Sequence, residues 1–283
     1  MIKVSHFFLL LFALFIFLGH FREATALLLA LGIHEAGHAL VARALGYRIE
    51  KITLYPIGSY LQLDDLVELN PFSEVRIALA GPVASLFTAL LTMTISSQGS
   101  GFGAYFVSAN LMLMAFNLLP ALPLDGGRIL RASLIGWTSF YRATEITVFS
   151  GHVCGIGLLA LGGLYLWQGV PNPTIFAAGV FLLYNAYSEK KNLMVPLMRY
   201  AVGRLRQLRG QPLLNADNFV ASKDAKIKDV FKFMRPQRYY LISVLKADWT
   251  VCGQVSEHKL LSKFMEGAGE RKLADLIDSG RED

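Results

Sequence analysis

Long apolar runs constrain the fold of this chain more than any other feature. A helix of about 20 apolar residues spans the hydrocarbon core of a bilayer. The chain has six runs close to that length, at 4–19, 24–45, 75–97, 103–122, 147–168 and 173–188. The composition agrees, because 54% of the residues are hydrophobic and 17% are charged, which is untypical of a soluble domain. We therefore predict an α-helical polytopic membrane protein with about six transmembrane helices.

The first run has a second interpretation. It is short, follows Lys3 and precedes Ala24-Thr25-Ala26, which resembles the cleavage site of a removable signal peptide. Arg22 and Glu23 lie directly before that site and disfavour cleavage there. We therefore expect the first run to be a transmembrane helix.

The distribution of basic residues predicts the orientation. Lys and Arg follow the second, fourth and sixth runs, whereas the loops at 98–102 and 169–172 carry no charge. Because cytoplasmic loops are enriched in Lys and Arg, we expect an integral membrane protein with both termini in the cytoplasm. The net charge of +6 then reflects this topology and contact with anionic lipid headgroups, and we expect no nucleic-acid partner.

Residues 46–74 break the helical pattern. Apolar and polar residues alternate at 51–55 and at 60–64, on either side of Pro56 and Gly58, which is typical of a short β-hairpin. We expect this hairpin at the cytoplasmic membrane surface. Its edge either accepts an extended peptide as an added strand or belongs to a structural sheet.

The second run contains three ionisable residues, His34, Glu35 and His38, in the pattern H-E-x-x-H. Two histidines four positions apart share one face of a helix, and both can bind one zinc ion through nitrogens at about 2 Å. Glu35 can take the proton of a water molecule at that ion as general base. Hydrogen bonds to neighbouring helices are the alternative, but ionisable residues inside a membrane are functional by default.

A catalytic zinc ion needs a third protein ligand so that water can hold the fourth position. The candidates are acids of the hairpin region and Asp125 after the fourth run. The topology favours Asp125, because the fourth run also ends on the cytoplasmic side, near the depth of the histidines. The acids of the hairpin region are Glu50, Asp64, Asp65 and Glu68.

The residues around Asp125 support this choice. Pro120 and Pro123 prevent the fourth helix from continuing regularly, and Gly126-Gly127 permits a tight turn that directs the carboxylate inward. The alternative is that Asp125 only caps the following helix, ahead of Arg128.

The motif HEAGH at 34–38 together with NLLPALPLDGG at 117–127 resembles the site-2 protease family of intramembrane zinc metalloproteases. The similarity covers about residues 1–195, and it implies an α-helical membrane fold and a zinc-dependent endopeptidase activity. The site residues that the resemblance implies are His34, His38 and Asp125 as zinc ligands and Glu35 as the catalytic residue.

Two further elements belong to this resemblance. It implies that Asn117 lies near the substrate or the oxyanion, and an interhelical hydrogen bond is the alternative role. The stretch AGPVAS at 80–85 resembles a G-P-x-x-S/N element of the family. We interpret it as a helix-packing element and assign it no chemical role.

In its length, its number of spans and its short tail, the chain resembles the sporulation stage IV proteases. Those proteases cleave the inactive precursor of a mother-cell sigma factor in the membrane around the forespore. The resemblance implies such a membrane-associated substrate and raises inhibitory membrane proteins as partners. A substrate such as an anti-sigma factor or a lipid regulator stays open. The rival function is a metal transporter that uses His34, His38 and Asp125 as a transit site, and a catalytically silent membrane adaptor is the third.

Charge collects after residue 188, and this shift predicts three domains. They are a membrane-embedded metalloprotease domain at 1–195, a basic linker at 196–211 and a small α/β cytoplasmic domain at 212–283. The last shows strand, helix, strand, strand and helix signals and resembles a single CBS motif. Because two such motifs normally form one adenine-nucleotide module, ATP binding and a homo-oligomer are hypotheses, and an inert domain or a substrate-docking surface is the alternative.

Overall fold

The computed structural model describes residues 2–4, 16–47, 49–55, 58–63, 70–95, 101–191, 216–234 and 239–278. The chain divides into two compact units, and each has its own three-stranded sheet. The first unit comprises Met1–Ala132 and Thr147–Tyr187, and the second comprises Ser133–Ile146 and Ser188–Asp283.

Six long helices account for most of the described residues between positions 21 and 191. Helices α1, α2 and α3 pack against one another in the first unit. A Cβ atom at Gly37 of α1 would lie 2.7 Å from the carbonyl oxygen of Ala80 in α2, so these two backbones approach closely, as expected for small residues at membrane helix contacts. The bounds are α1 Phe21–Ala44, α2 Pro71–Ile95, α3 Phe102–Asn117, α4 Asp125–Ile135, α5 Phe140–Trp167 and α6 Pro173–Lys191.

Three of the described helices, α1, α2 and α5, are long and apolar enough to cross a membrane, and they coincide with the second, third and fifth predicted runs. Helix α3 is apolar but has 16 residues. Helix α6 is not among the candidate spans, because its last turns carry Asn185, Glu189, Lys190 and Lys191. Most of the run predicted at 4–19 lies outside the described residues. The total of six spans therefore stays a prediction.

The predicted hairpin is present in the first unit. Strand β2, Ile49–Tyr55, pairs antiparallel with β3, Gly58–Leu63. Strand β1, Ile2–Val4, pairs parallel with β2. Among the described strands nothing pairs with the outer edge of β3.

The second unit contains the order strand, helix, strand, strand, helix that the sequence predicts. Strand β4 is parallel to β5, and β5 is antiparallel to β6. The bounds are β4 Ala216–Ser222, α7 Ile227–Val230, β5 Tyr239–Leu245, β6 Val251–Ser256, α8 Glu257–Met265, a 3-10 turn at Ala268–Glu270 and α9 Ala274–Asp278.

The core of the second unit includes a segment that sequence analysis did not assign to it. Alternate residues of β5 are buried, and the apolar side chains of Ile135 and Phe140 belong to the same buried cluster. The Ser139 hydroxyl donates a hydrogen bond of 2.5 Å to the carbonyl oxygen of Lys232. Residues 133–146 therefore complete a core that the sequence predicts from 212–283 alone.

Candidate metal centre

Helix α1 carries the H-E-x-x-H residues on its buried side. His34, Glu35 and His38 are all buried. One ring nitrogen of each histidine and one carboxylate oxygen of Glu35 lie within 4.8 Å of one another. The two imidazoles meet edge to face, as expected for positions one helical turn apart.

Asp125, the first residue of α4, completes a triangle of possible ligand atoms. Its Oδ2 lies 3.1 Å from Nε2 of His34 and 3.1 Å from Nε2 of His38, and the two Nε2 atoms are 3.2 Å apart. Ligand atoms around a tetrahedral zinc ion, with bonds of about 2.0 to 2.1 Å, lie about 3.3 to 3.4 Å from one another. These dimensions fit one zinc ion with a fourth position open.

The backbone before α4 places Asp125 where it can reach the histidines. A Cβ atom at Gly126 would lie 2.2 Å from the carbonyl oxygen of Leu118, and one at Gly127 would lie 2.4 Å from the carbonyl carbon of Ala121. Only glycine allows this approach, so the first turn of α4 packs directly against the chain that precedes it. The glycine pair therefore lies within the first turn of a helix and serves close packing, whereas the sequence predicted a tight turn at these positions.

The hydrogen-bond partner of His38 Nδ1, the ring nitrogen that does not face Asp125, determines which nitrogen carries the proton. His38 Nδ1 lies 2.6 Å from the carbonyl oxygen of Ile77, and a carbonyl oxygen only accepts hydrogen bonds, so Nδ1 donates. In the neutral imidazole Nε2 then has the free lone pair that a metal ligand needs. His34 Nδ1 lies 3.0 Å from the Ser85 hydroxyl, which can accept in the same way. Lone pairs therefore converge where zinc would be bound.

Gly81 and Ser85 of α2 border the centre, although sequence analysis assigned their element only to packing. A Cβ atom at Gly81 would lie 2.3 Å from His38 Nε2 and 2.7 Å from His34 Nε2, so a side chain here would fill the space between the rings. The two residues are four positions apart and share one face of α2. In the sequence, the signal for this role was the spacing of Gly81 and Ser85 by four positions, with Pro82 directly after the glycine.

Among the described residues, the structure shows no contact between the centre and the remaining candidates, which are Asn117 and the acids of the hairpin region. Asn117 donates its amide to the carbonyl oxygen of Leu113 at 3.0 Å, within its own helix. The side-chain amide has a second N–H, so its role at the substrate stays a prediction. The side chain of Glu50 and the whole of residues 64–69 lie outside the described residues.

Comparison with known proteins finds a family that part of the chain matches. Residues 23–104 match Peptidase family M50. The chain is 28% identical over 214 residues to a zinc metalloprotease of Methanocaldococcus jannaschii, covering 74% of this chain and 59% of the relative. It is 37% identical over 256 residues to the zinc metalloprotease named Rip3 of Mycobacterium tuberculosis, covering 84% of this chain and 62% of the relative.

A sporulation protein and a solved structure are also similar. Stage IV sporulation protein FB of Bacillus subtilis is 32% identical over 132 residues, which is 46% of each chain. The solved site-2 protease from Methanocaldococcus jannaschii matches with a TM-score of 0.53 and 29% identity, over 66% of this chain and 89% of that chain. The chain spans between 46% and 62% of the length of these three curated relatives.

Proposed function

Because residues 23–104 form a Peptidase family M50 domain of the site-2 protease type, we propose that the chain is an intramembrane zinc endopeptidase. It hydrolyses a peptide bond of a membrane-associated regulatory protein. The apolar helices α1, α2 and α5 support a reaction within or beside the bilayer. The zinc metalloprotease names of the archaeal and mycobacterial relatives support the reaction type.

The observation that carries this proposal is the buried triangle of His34 Nε2, His38 Nε2 and Asp125 Oδ2, with sides of 3.1 to 3.2 Å. When bound there, zinc supplies a Lewis acid that lowers the pKa of water and polarises a carbonyl group. Glu35 accepts the proton of the attacking water and passes it to the leaving amine. One of its carboxylate oxygens lies within 4.8 Å of a ring nitrogen of each motif histidine, so it could reach a water molecule at the ion.

The substrate must present an extended peptide, because the carbonyl groups of a helix are hydrogen-bonded within it. The outer edge of β3 supports a binding mode for such a segment. A strand added there would pair its backbone with β3, and its sequence would be read only through alternate side chains. We propose that this edge holds the unwound substrate.

The proposed substrate is the inactive precursor of a sporulation sigma factor, with inhibitory membrane proteins as further partners. The similarity to Stage IV sporulation protein FB supports a substrate from sporulation, and an anti-sigma factor or a lipid regulator is the alternative. We also propose that both termini are cytoplasmic. A reporter fused to either terminus and active only in the cytoplasm tests that orientation.

The C-terminal unit is proposed to be CBS-like. Its order of strands and helices supports a single CBS motif, and one motif would need a second copy of the chain to complete a nucleotide module. Titration of the detergent-solubilised protein with ATP, followed by calorimetry and by its sedimentation, tests nucleotide binding and the homo-oligomer together.

The decisive experiment compares the wild type with Glu35→Gln in membranes that contain the co-expressed sigma-factor precursor. We expect Glu35→Gln to retain zinc and to lose cleavage by about 10²- to 10⁴-fold, the usual contribution of a general base. Glu23→Gln removes the same charge at the start of α1 and serves as the matched control, with cleavage unchanged.

Two other outcomes have distinct meanings. If Glu35→Gln cuts as fast as the wild type, the hydrolytic mechanism is wrong, and zinc transport across liposomes becomes the question. If the wild type cuts an unrelated membrane peptide with an unwound segment but not the precursor, the protease proposal holds and its substrate is wrong.

A further inference from the structure

Four charged side chains form a continuous network behind the metal triangle. Arg128 Nη1 lies 3.6 Å from Asp125 Oδ1, and Arg128 Nε lies 4.0 Å from Glu74 Oε1. Glu74 Oε1 also accepts a hydrogen bond of 2.8 Å from Arg131 Nη2. The guanidinium of Arg128 therefore lies between a proposed zinc ligand and a second carboxylate.

The positions of these residues along their helices explain the geometry. Asp125, Arg128 and Arg131 follow one another at intervals of three and share one face of α4. Glu74 lies in the first turn of α2, the helix that also carries Gly81. The network thus ties the beginning of α4 to the beginning of α2.

The charges in the network balance and are largely removed from solvent. Two carboxylates face two guanidinium groups, and the side-chain exposure is 8% for Asp125 and 11% for Glu74. A buried charge is tolerated when its partners are present and becomes strongly unfavourable when one partner is removed. Arg128 also engages Oδ1 of Asp125 and leaves Oδ2 to face the two imidazoles. This ion pair of 3.6 Å therefore favours the carboxylate orientation in which Oδ2 faces the histidines.

We propose that Arg128 is a positioning residue, which orients Asp125 for zinc and is itself held by the pair of Glu74 and Arg131. This inference rests on the proposed zinc site. It assigns Arg128 no contact with zinc or substrate, so its effect should appear first in metal binding. Outer partners of a metal ligand commonly contribute about ten- to a hundredfold to metal affinity, and Arg128 would act as such a partner through its ion pair with Asp125.

The test measures the zinc dissociation constant of the purified full chain by competition with a chelator. We expect Arg128→Gln to weaken zinc binding by about ten- to a hundredfold. Arg128→Lys keeps the positive charge, but its single ammonium group lacks the separate N–H donors with which a guanidinium faces two carboxylates at once. It should therefore recover only part of the affinity. Arg43→Gln, an exposed arginine in the last turn of α1, is the matched control and should bind zinc like the wild type.

A pair of variants separates charge balance from loss of fold. Glu74→Gln leaves two guanidinium groups facing one carboxylate, so Arg128 loses the partner that holds it, the excess positive charge opposes the zinc ion, and affinity falls. Adding Arg131→Gln restores the balance and should recover part of that loss. The absorption spectrum of bound Co²⁺ reports ligand geometry and should change in Arg128→Gln but not in the control.

The outcomes are distinguishable from those of the proposed function. If the wild type binds zinc and Arg128→Gln binds it equally tightly, this inference is overturned and the protease proposal stands. If Arg128→Gln does not fold, the pair of Glu74→Gln alone and with Arg131→Gln decides, and an unchanged affinity in both overturns the inference. If the wild type binds no zinc, both proposals fail.

Discussion

We expect that replacing Gly81 with alanine weakens zinc binding by more than about a hundredfold, although it removes no ligand. The new methyl carbon would lie 2.3 Å from His38 Nε2 and 2.7 Å from His34 Nε2. These atoms are two of the three proposed ligand atoms. The substitution therefore adds one carbon between the atoms that must converge on the metal.

The size of the effect follows from these distances. Real Cβ atoms essentially never approach a neighbour closer than 3.0 Å, so the ring of His38 must move by about 0.7 Å. This shift is several times the tolerance of about 0.2 Å for metal–ligand distances. We expect zinc affinity to fall by more than the roughly hundredfold that loss of an outer hydrogen-bonding partner costs. The added methyl group also overpacks the helix contact by about 1 to 3 kcal/mol, partly offset by the better helix propensity of alanine, about 1 kcal/mol.

The assay is chelator competition for zinc on purified protein, together with the thermal midpoint of the metal-free form. Gly157→Ala, in α5, is the matched control, because a Cβ atom there meets nothing within 4 Å. It should bind zinc like the wild type. Zinc binding by Gly81→Ala at wild-type affinity would refute the assignment of the triangle as the metal site.

Two further predictions concern the C-terminal unit. Phe140→Ala should destabilise this unit by about 3 to 5 kcal/mol, the usual effect of removing a buried aromatic ring, because Phe140 is 8% exposed within the core. Hydrogen exchange of β5 measures the loss of stability. Trp137→Ala, at an 83% exposed position, is the control and should change the stability little. The pKa of Glu270 lies at about 2, below its ordinary value of 4.5, because its carboxylate accepts hydrogen bonds from Lys226 and Lys228. This lowered pKa stabilises the folded unit above pH 4.5, and the contribution is lost as the pH falls through about 2. An NMR titration should show the pKa rising towards its ordinary value at high salt, because exposed ion pairs are screened, and a pKa unaffected by salt would contradict the ion-pair explanation.

Much of the architecture could be predicted because its signals are local. Membrane helices depend on the length of an apolar run, and the runs at 24–45, 75–97 and 147–168 coincide with α1, α2 and α5. The hairpin follows from alternation on either side of turn residues. The bounds of α5 differ, since this helix begins at Phe140, and its first turns are buried in the core of the second unit, where apolar residues need no membrane.

The metal centre likewise combines features that local sequence determines with features that depend on how the helices pack. The sequence alone determined that His34, Glu35 and His38 lie on one helix, because four positions make about one turn of any α-helix. It also indicated Asp125, through its motif and its expected depth in the membrane. Ser85 lies 51 positions from His34, and no periodicity links them. Only the packing of α2 on α1 decided that Ser85 and Gly81 border the centre, because contacts between distant segments depend on how whole helices pack and not on the pattern within either one.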